Sequence, residues 1–252
     1  MLTLFKQFPE ICAVFSEKQD DSMKIFPEQP DKNRENREHF FQQQDIDMNR
    51  VVAAEIVHGT KVKIITTNNV TDEQRSSLIG NSGNTENEGV ILDTDALVTK
   101  EKNIFLSITA ADCLPVFFYD PVAHIIGIAH AGWRGIVDGV IESTLATLTH
   151  SGANTKNIFV ACGPNIQKCH FEIRTDVLPQ FTDFEKYILH KNEKIFVDLE
   201  GIVSEQLQKL GISTKHIETS SLCTFCESEK FFSYRRDQPH ELETMVAVIG
   251  MR

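Results

Sequence analysis

The stretch ITAADCLPVFFYDPVAHIIGIAHAGWRGI, Ile108–Ile136, decides the fold. Two short runs within it, LPVFFY (Leu114–Tyr119) and HIIGIAH (His124–His130), are rich in β-branched and aromatic residues and read as strands. Asp120-Pro121 between them carries turn chemistry, so the pair predicts a β-hairpin. Outward from this hairpin, similar runs predict strands over Arg50–Val57, Lys61–Thr66, Asp95–Thr99, Asn103–Thr109, Asn157–Cys162, Lys194–Leu199 and Met245–Gly250. Helical spacing of Ile136, Val137, Val140, Ile141, Leu145 and Leu148 predicts one helix over Gly135–His150, with Gly152 as its C-terminal cap. Ile202, Val203, Leu207 and Leu210 predict a second over Leu199–Leu210, stopped by Gly211. The segment NREHFFQQQ (Asn36–Gln44) reads as a short helix inside a charged stretch. Many strands, several of them adjacent pairs, and few helices give an α+β class, with mixed sheets and helices packed outside them.

The chain has 252 residues, 41% hydrophobic and 24% charged, which is enough apolar material for a buried core and excludes wholesale disorder. Its formal net charge of −11 argues against a nucleic-acid binder, which needs a basic footprint. No apolar run reaches the ~18 residues of a membrane span, and the N-terminal MLTLFKQFPEI lacks the features of a secretory signal, so a cytoplasmic protein is expected. Six cysteines are too few for a disulfide scaffold of this length and read as core residues, metal ligands or nucleophiles. Residues 1–252 read as one domain, and the glycine-rich, apolar-poor segment near 68–89 reads as a mobile loop within it.

Three segments share one feature. In EIVHGTKV (Glu55–Val62), ITAADCLPV (Ile108–Val116) and IGIAHAGWRGI (Ile126–Ile136), an apolar run ends at a residue able to bind metal, and the backbone then turns. These residues are His58, Cys113 and His130. Two imidazoles and one thiolate form a sound zinc set with a fourth position left open. The rival reading makes Cys113 a small buried hydrophobe and each histidine a hydrogen-bonded core or surface residue.

The motifs ITAADCLPV, AHAGWRG (Ala129–Gly135), ACGPNIQKCHFEI (Ala161–Ile173) and FFSYRRD (Phe231–Asp237), in that order, resemble the laccase-domain family, also described as multicopper polyphenol oxidase-like. The resemblance runs from about Val51 to the C-terminus. It implies a purine nucleoside phosphorylase acting on adenosine and inosine, with methylthioadenosine a further substrate, phosphate as co-substrate and adenosine deaminase as a side activity. It implies zinc at His58, Cys113 and His130, and two packed mixed β-sheets flanked by helices, similar to bacterial toxin deamidases. Two alternatives stand beside it: a copper-dependent polyphenol oxidase, and a metal-binding module with little turnover. Copper is the weaker fit, because the sequence has no His-x-His pair to build a multicopper cluster. The chain departs from the family pattern in three places: the N-terminal Gly-Gly-Val-Ser and Ser-Leu-Asn motifs are missing, Ile56 stands where Gln is usual, and Glu241-Leu242-Glu243-Thr244 replaces a Thr-Gly-Arg motif.

Within the shared motifs, Asp112 precedes the cysteine and reads either as a proton carrier or as a turn residue that orients a ligand. Arg134, at the start of a helix, and Arg235-Arg236 are candidates for binding phosphate; structural salt bridges are the alternative. Asn165, with Cys162, Cys169 and His170, reads as pocket wall or as loop structure. Cys223 and Cys226 form a C-x-x-C with no second such pair, and read as two free thiols. Trp133 stacks on a purine in one reading and packs into the core in the other.

Overall fold

The computed structural model describes residues 3–25, 29, 32–66 and 89–252. Among these, the strands in chain order are β1 (Ile11–Phe15), β2 (Val51–Ala54), β3 (Val62–Ile65), β4 (Val90–Ile91), β5 (Ala96–Thr99), β6 (Phe105–Ala110), β7 (Leu114–Asp120), β8 (Ile125–Ala131), β9 (Phe159–Cys162), β10 (Glu172–Ile173), β11 (Ile188–Lys191), β12 (Lys194–Val197), β13 (Ile217–Thr219) and β14 (Met245–Met251). The α-helices are α1 (Arg34–Gln43), α2 (Trp133–Asp138), α3 (Val140–His150), α4 (Leu199–Lys209) and α5 (Tyr234–Asp237). One sheet runs β1-β14-β6-β2-β4, a second runs β13-β9-β7-β8-β5-β3, and a small third runs β10-β12-β11. Both large sheets are mixed: β2 lies parallel to β6 and β4, and β3 parallel to β5, while the β7–β8 hairpin and the β6–β14 pair are antiparallel.

The alternation in LPVFFY explains the layering. Successive side chains of a strand point to opposite faces. Leu114, Val116 and Phe118 pack with Ile136, Val140, Ile141 and Leu145 of α2 and α3 and with Ile202 and Val203 of α4. Phe117 and Tyr119 face the other way and pack with Leu106, Ile108, Ala247 and Ile249 of the first sheet. The central strands of the second sheet are therefore buried on both faces, which is why β7 and β8 read as continuous apolar runs. The far face of the first sheet presents Phe105, Val246 and Val248 to Phe40 and Phe41 of α1. Asp120 closes the hairpin as its sequence suggests, its Oδ1 accepting from the backbone N–H groups of Val122 and Ala123 at 2.8 and 3.0 Å.

One expected helix is two. Gly139, inside the apolar periodicity over Gly135–His150, takes φ 95° and separates α2 from α3. A left-handed residue ends the hydrogen-bond ladder, and glycine adopts it without a Cβ penalty. Strands β1, β4, β10, β11 and β13 lay outside the sequence-based expectation; β4 and β10 are two residues long, β11 is mostly exposed and β13 is three residues long, so these four carry no strong apolar signal, whereas the apolar run ICAVF of β1 did carry one. The loop expected near 68–89 lies outside the described residues except for Gly89. No helix among the described residues is long and apolar enough to cross a membrane.

Candidate metal centre

The register of the second sheet brings three chain segments to one end of it. In the hairpin, Leu114 pairs with Ala131 and Pro115 with His130, so Cys113, just ahead of β7, lies beside the end of β8. Ala96 of β5 pairs with Ala129, which puts Asp95 next to His130; the backbone N–H of His130 donates to the Asp95 carbonyl at 2.7 Å. His58 follows β2 in the turn into β3, whose Val62 pairs with Ala96. One donor atom from each of His58, Cys113 and His130 lies within 4.8 Å of the other two. The strand-end reading of these three residues thus corresponds to a real convergence in space. The imidazoles of His58 and His130 meet edge-on, with centroids 4.9 Å apart.

Asp95 organises the cluster and was not singled out from the sequence. It is fully buried. Its Oδ1 accepts from the backbone N–H of His58 at 2.9 Å and meets Nδ1 of His130 at 3.0 Å; its Oδ2 accepts from the N–H of Gly59 at 2.7 Å. The first and last of these contacts hold the turn in which His58 takes φ 60°, a left-handed conformation uncommon for a side-chain-bearing residue. The contact at Nδ1 leaves Nε2 of His130 for Cys113 and a metal, the usual second partner arrangement of ligating histidines. A carboxylate flanking a strand that runs beside a ligating histidine was the available signal.

Charge within the cluster is strongly coupled. Burial alone would raise the Cys113 thiol, but His130 and then His58 outweigh it and bring the thiol down to about 6. Burial alone would lower His130, but the Cys113 thiolate and then Asp95 outweigh it and lift it to about 9. Asp95 is held below the usual carboxylate range despite its burial, because His130 and the N–H groups of Gly59 and His58 bond to its charged form. Each of the two thus favours the charged form of the other, and a metal bound there would compete with the His130 proton.

The residues fit a metal ion. The donors are one thiolate and two imidazoles, two from turns and one from the end of β8, and Gly132 packs closely against all three. A Cβ at Gly132 would lie 3.0 Å from Cδ2 of His58, 3.3 Å from Sγ of Cys113 and 3.3 Å from Cε1 of His130. Gly132 has φ −69° and ψ 160°, which alanine also adopts, so the obstacle to a side chain there is steric. Gly132→Ala is expected to weaken metal binding about tenfold, the lower end of what displacing a ligand-orienting neighbour costs, with little change in melting temperature. Titration against a competing chelator reads this directly; an unchanged affinity would remove Gly132 from the site.

The other sequence candidates separate. Asp112 is buried and has φ 88°; its Oδ1 accepts from the Thr224 hydroxyl at 2.6 Å and its Oδ2 from the backbone N–H of Arg235 at 2.7 Å. Both oxygens thus tie the Cys113 turn to the C-terminal segment, which favours the orienting reading over the proton carrier. Arg236 matches its structural reading. All five of its N–H donors are engaged by the chain itself: the carbonyls of Thr224, Phe225 and Phe231 accept from Nη1 and Nη2, and Asp237 accepts from Nε and Nη2. No donor is left for phosphate. Asn165 is fully buried; its amide donates to the Ile166 carbonyl, and its oxygen accepts from Gln167. Arg235 donates from Nη1 to the Glu172 carbonyl and lies 5.5 Å over the Phe171 ring. Arg134 alone of the three arginines is exposed, with its guanidinium 4.4 Å over Trp133. Trp133 itself is half-buried, packing against the helical side of the core and near Phe181. Cys162 is buried in that core on β9.

Residues 21–252 match the family model described as multi-copper polyphenol oxidoreductase laccase, so the match begins well ahead of Val51. A purine nucleoside phosphorylase, YlmD, of Bacillus subtilis is 32% identical over 224 residues, covering 86% of this chain and 76% of its own length. An adenosine deaminase, RL5, from an unknown prokaryotic organism is 30% identical, covering 76% of this chain and 71% of its own. The crystal structure of the hypothetical protein YfiH of Bacillus licheniformis superimposes with a TM-score of 0.84 at 28% identity, over 98% of this chain and 94% of that one.

Proposed function

The chain belongs to the multi-copper polyphenol oxidoreductase laccase family, and we infer that its reaction is the phosphorolysis of purine nucleosides, with adenosine deamination as a side activity and zinc as the metal. The observation that carries this reading is the convergence of His58, Cys113 and His130 on one point, in a chain whose relatives include proteins named purine nucleoside phosphorylase and adenosine deaminase. Zinc suits the donor set: two imidazoles, one thiolate and a fourth position for a small ligand make a catalytic zinc site. Bound zinc would supply a Lewis acid and would lower the pKa of a water at that open position.

The chain's own residues do the positioning. Asp95 fixes the tautomer and ring orientation of His130 and the turn that presents His58. Asp112 fixes the turn that presents Cys113. Arg134, exposed and with its guanidinium 4.4 Å over the Trp133 ring, offers its fork to phosphate. In phosphorolysis a phosphate oxygen bonds to the anomeric carbon as the bond from that carbon to the purine nitrogen breaks, and the base leaves with a proton. Copper-dependent phenol oxidation needs a histidine-rich cluster, and the two metal-capable groups among the described residues hold three histidines between them.

The test is product identification. Purified protein given inosine and phosphate is expected to release hypoxanthine and ribose 1-phosphate, with no release when phosphate is omitted. Adenosine without phosphate is expected to give inosine slowly. Oxidation of phenols as the sole activity, or tightly bound zinc with no turnover of any purine nucleoside, would overturn the reading.

A further inference from the structure

A second group of metal-binding side chains lies outside this centre. Cys169, His170, Cys223 and Cys226 each offer a ligand atom, and all four atoms lie within 4.8 Å of one another. The C-x-x-C at Cys223 and Cys226 thus has the other half it lacks in the sequence, supplied by the adjacent pair Cys169-His170. We propose that these four residues form a closed structural zinc site that clamps the loop after β9 to the segment after β13.

The distances agree with one tetrahedral ion. Zinc with Zn–S of ~2.3 Å and Zn–N of ~2.0–2.1 Å requires S···S edges of ~3.8 Å and S···N edges of ~3.6 Å. Sγ of Cys169 lies 3.6 Å from Sγ of Cys223 and 3.7 Å from Sγ of Cys226. Nδ1 of His170 lies 3.2, 3.3 and 4.0 Å from the sulfurs of Cys169, Cys226 and Cys223, bracketing the expected edge. A disulfide would need sulfurs ~2.05 Å apart and would join only two of the three thiols. Three thiolates with one imidazole is a structural zinc set, with no position left for water.

The surroundings are built to hold ligands. The His170 ring stacks on Phe225 with centroids 4.0 Å apart and planes 13° from parallel, which fixes where Nδ1 points. The backbone N–H of Gln167 donates to Sγ of Cys223 at 3.5 Å. Asn165 and Cys223 form a parallel β-bridge, and the N–H of Thr224 donates to the Asn165 carbonyl at 3.0 Å, so the two segments are already in register. The clamp reaches toward the first centre through Thr224, whose hydroxyl donates to Asp112 beside Cys113.

Zinc content per chain, by elemental analysis of the full-length protein purified in reductant, separates this site from the first. Wild type is expected to hold two zinc ions, Cys226→Ser one, Cys113→Ala one, and the double variant none. Wild type and Cys226→Ser with equal zinc would overturn the second site. Equal zinc in wild type and Cys113→Ala, with one lost in Cys226→Ser, would instead remove metal from the first site and leave the second standing. A readout that needs no variant in the clamp is cobalt substitution in Cys113→Ala. Thiolate-to-cobalt charge transfer is expected there with tetrahedral visible bands, since the first site no longer has a thiolate. Its absence, or an intact-mass loss of two hydrogens from a disulfide among these cysteines, would overturn the proposal.

Discussion

Alanine at Cys113 is expected to lower kcat/KM for inosine phosphorolysis by at least about two orders of magnitude, because a catalytic metal site fails as a unit when one donor is lost. The reason lies in the electrostatics of the cluster. Cys113 is the charged donor; His130 and His58 together draw its thiol down to about 6, so a thiolate already stands in place when a metal arrives. Without it the two imidazoles alone would hold the ion. His130→Ala is expected to behave alike. His39→Ala is the control: the residue is exposed on α1, its Nε2 within hydrogen-bonding distance of Gln43, and rates should stay near wild type. Steady-state kinetics paired with metal content checks all three. Full nucleoside turnover in Cys113→Ala would place the chemistry elsewhere in the chain.

What the sequence shows and what it hides follow from the range of the interactions. His58, Cys113 and His130 are legible because each ends an apolar run and precedes a turn, a local pattern that survives without knowledge of the sheet. The central strands are legible for a similar reason: burial on both faces makes β7 and β8 continuous apolar runs. Arg236 is not legible. Its environment is three carbonyls from Thr224, Phe225 and Phe231 that converge only when the segment folds back on itself. Nor is the Cys–His cluster, since Cys169 and Cys223 stand 54 positions apart and meet through a single β-bridge. The break between α2 and α3 rests on the φ of one glycine inside an otherwise unbroken helical pattern. For Arg236 and the Cys–His cluster the deciding contacts join residues whose separation along the chain carries no periodic signal.

Asp95 belongs to the same hidden class, and it yields the second large effect. Asp95→Asn is expected to weaken metal affinity by roughly 10–100-fold. The substitution keeps size and shape but removes one acceptor. Oriented with its carbonyl oxygen at the Oδ1 position, the replacing amide still accepts from the N–H of His58 and from Nδ1–H of His130, the contacts now at 2.9 and 3.0 Å. Its NH2 group then faces the N–H of Gly59, donor against donor, where Oδ2 now accepts at 2.7 Å. Turned the other way, it keeps Gly59 and sets two donors against the NH2. Either orientation strands a buried donor, at a cost of about 1–3 kcal/mol, and releases the turn that holds His58 at φ 60°. Chelator competition measures the affinity, and activity at saturating zinc separates positioning from general damage. A positioning role predicts recovery toward wild-type kcat when zinc is in excess, with the midpoint of zinc activation shifted upward by the same factor as the affinity. A variant with unchanged zinc affinity and unchanged activation midpoint would show that the Asp95 contacts hold the fold and leave the metal centre untouched.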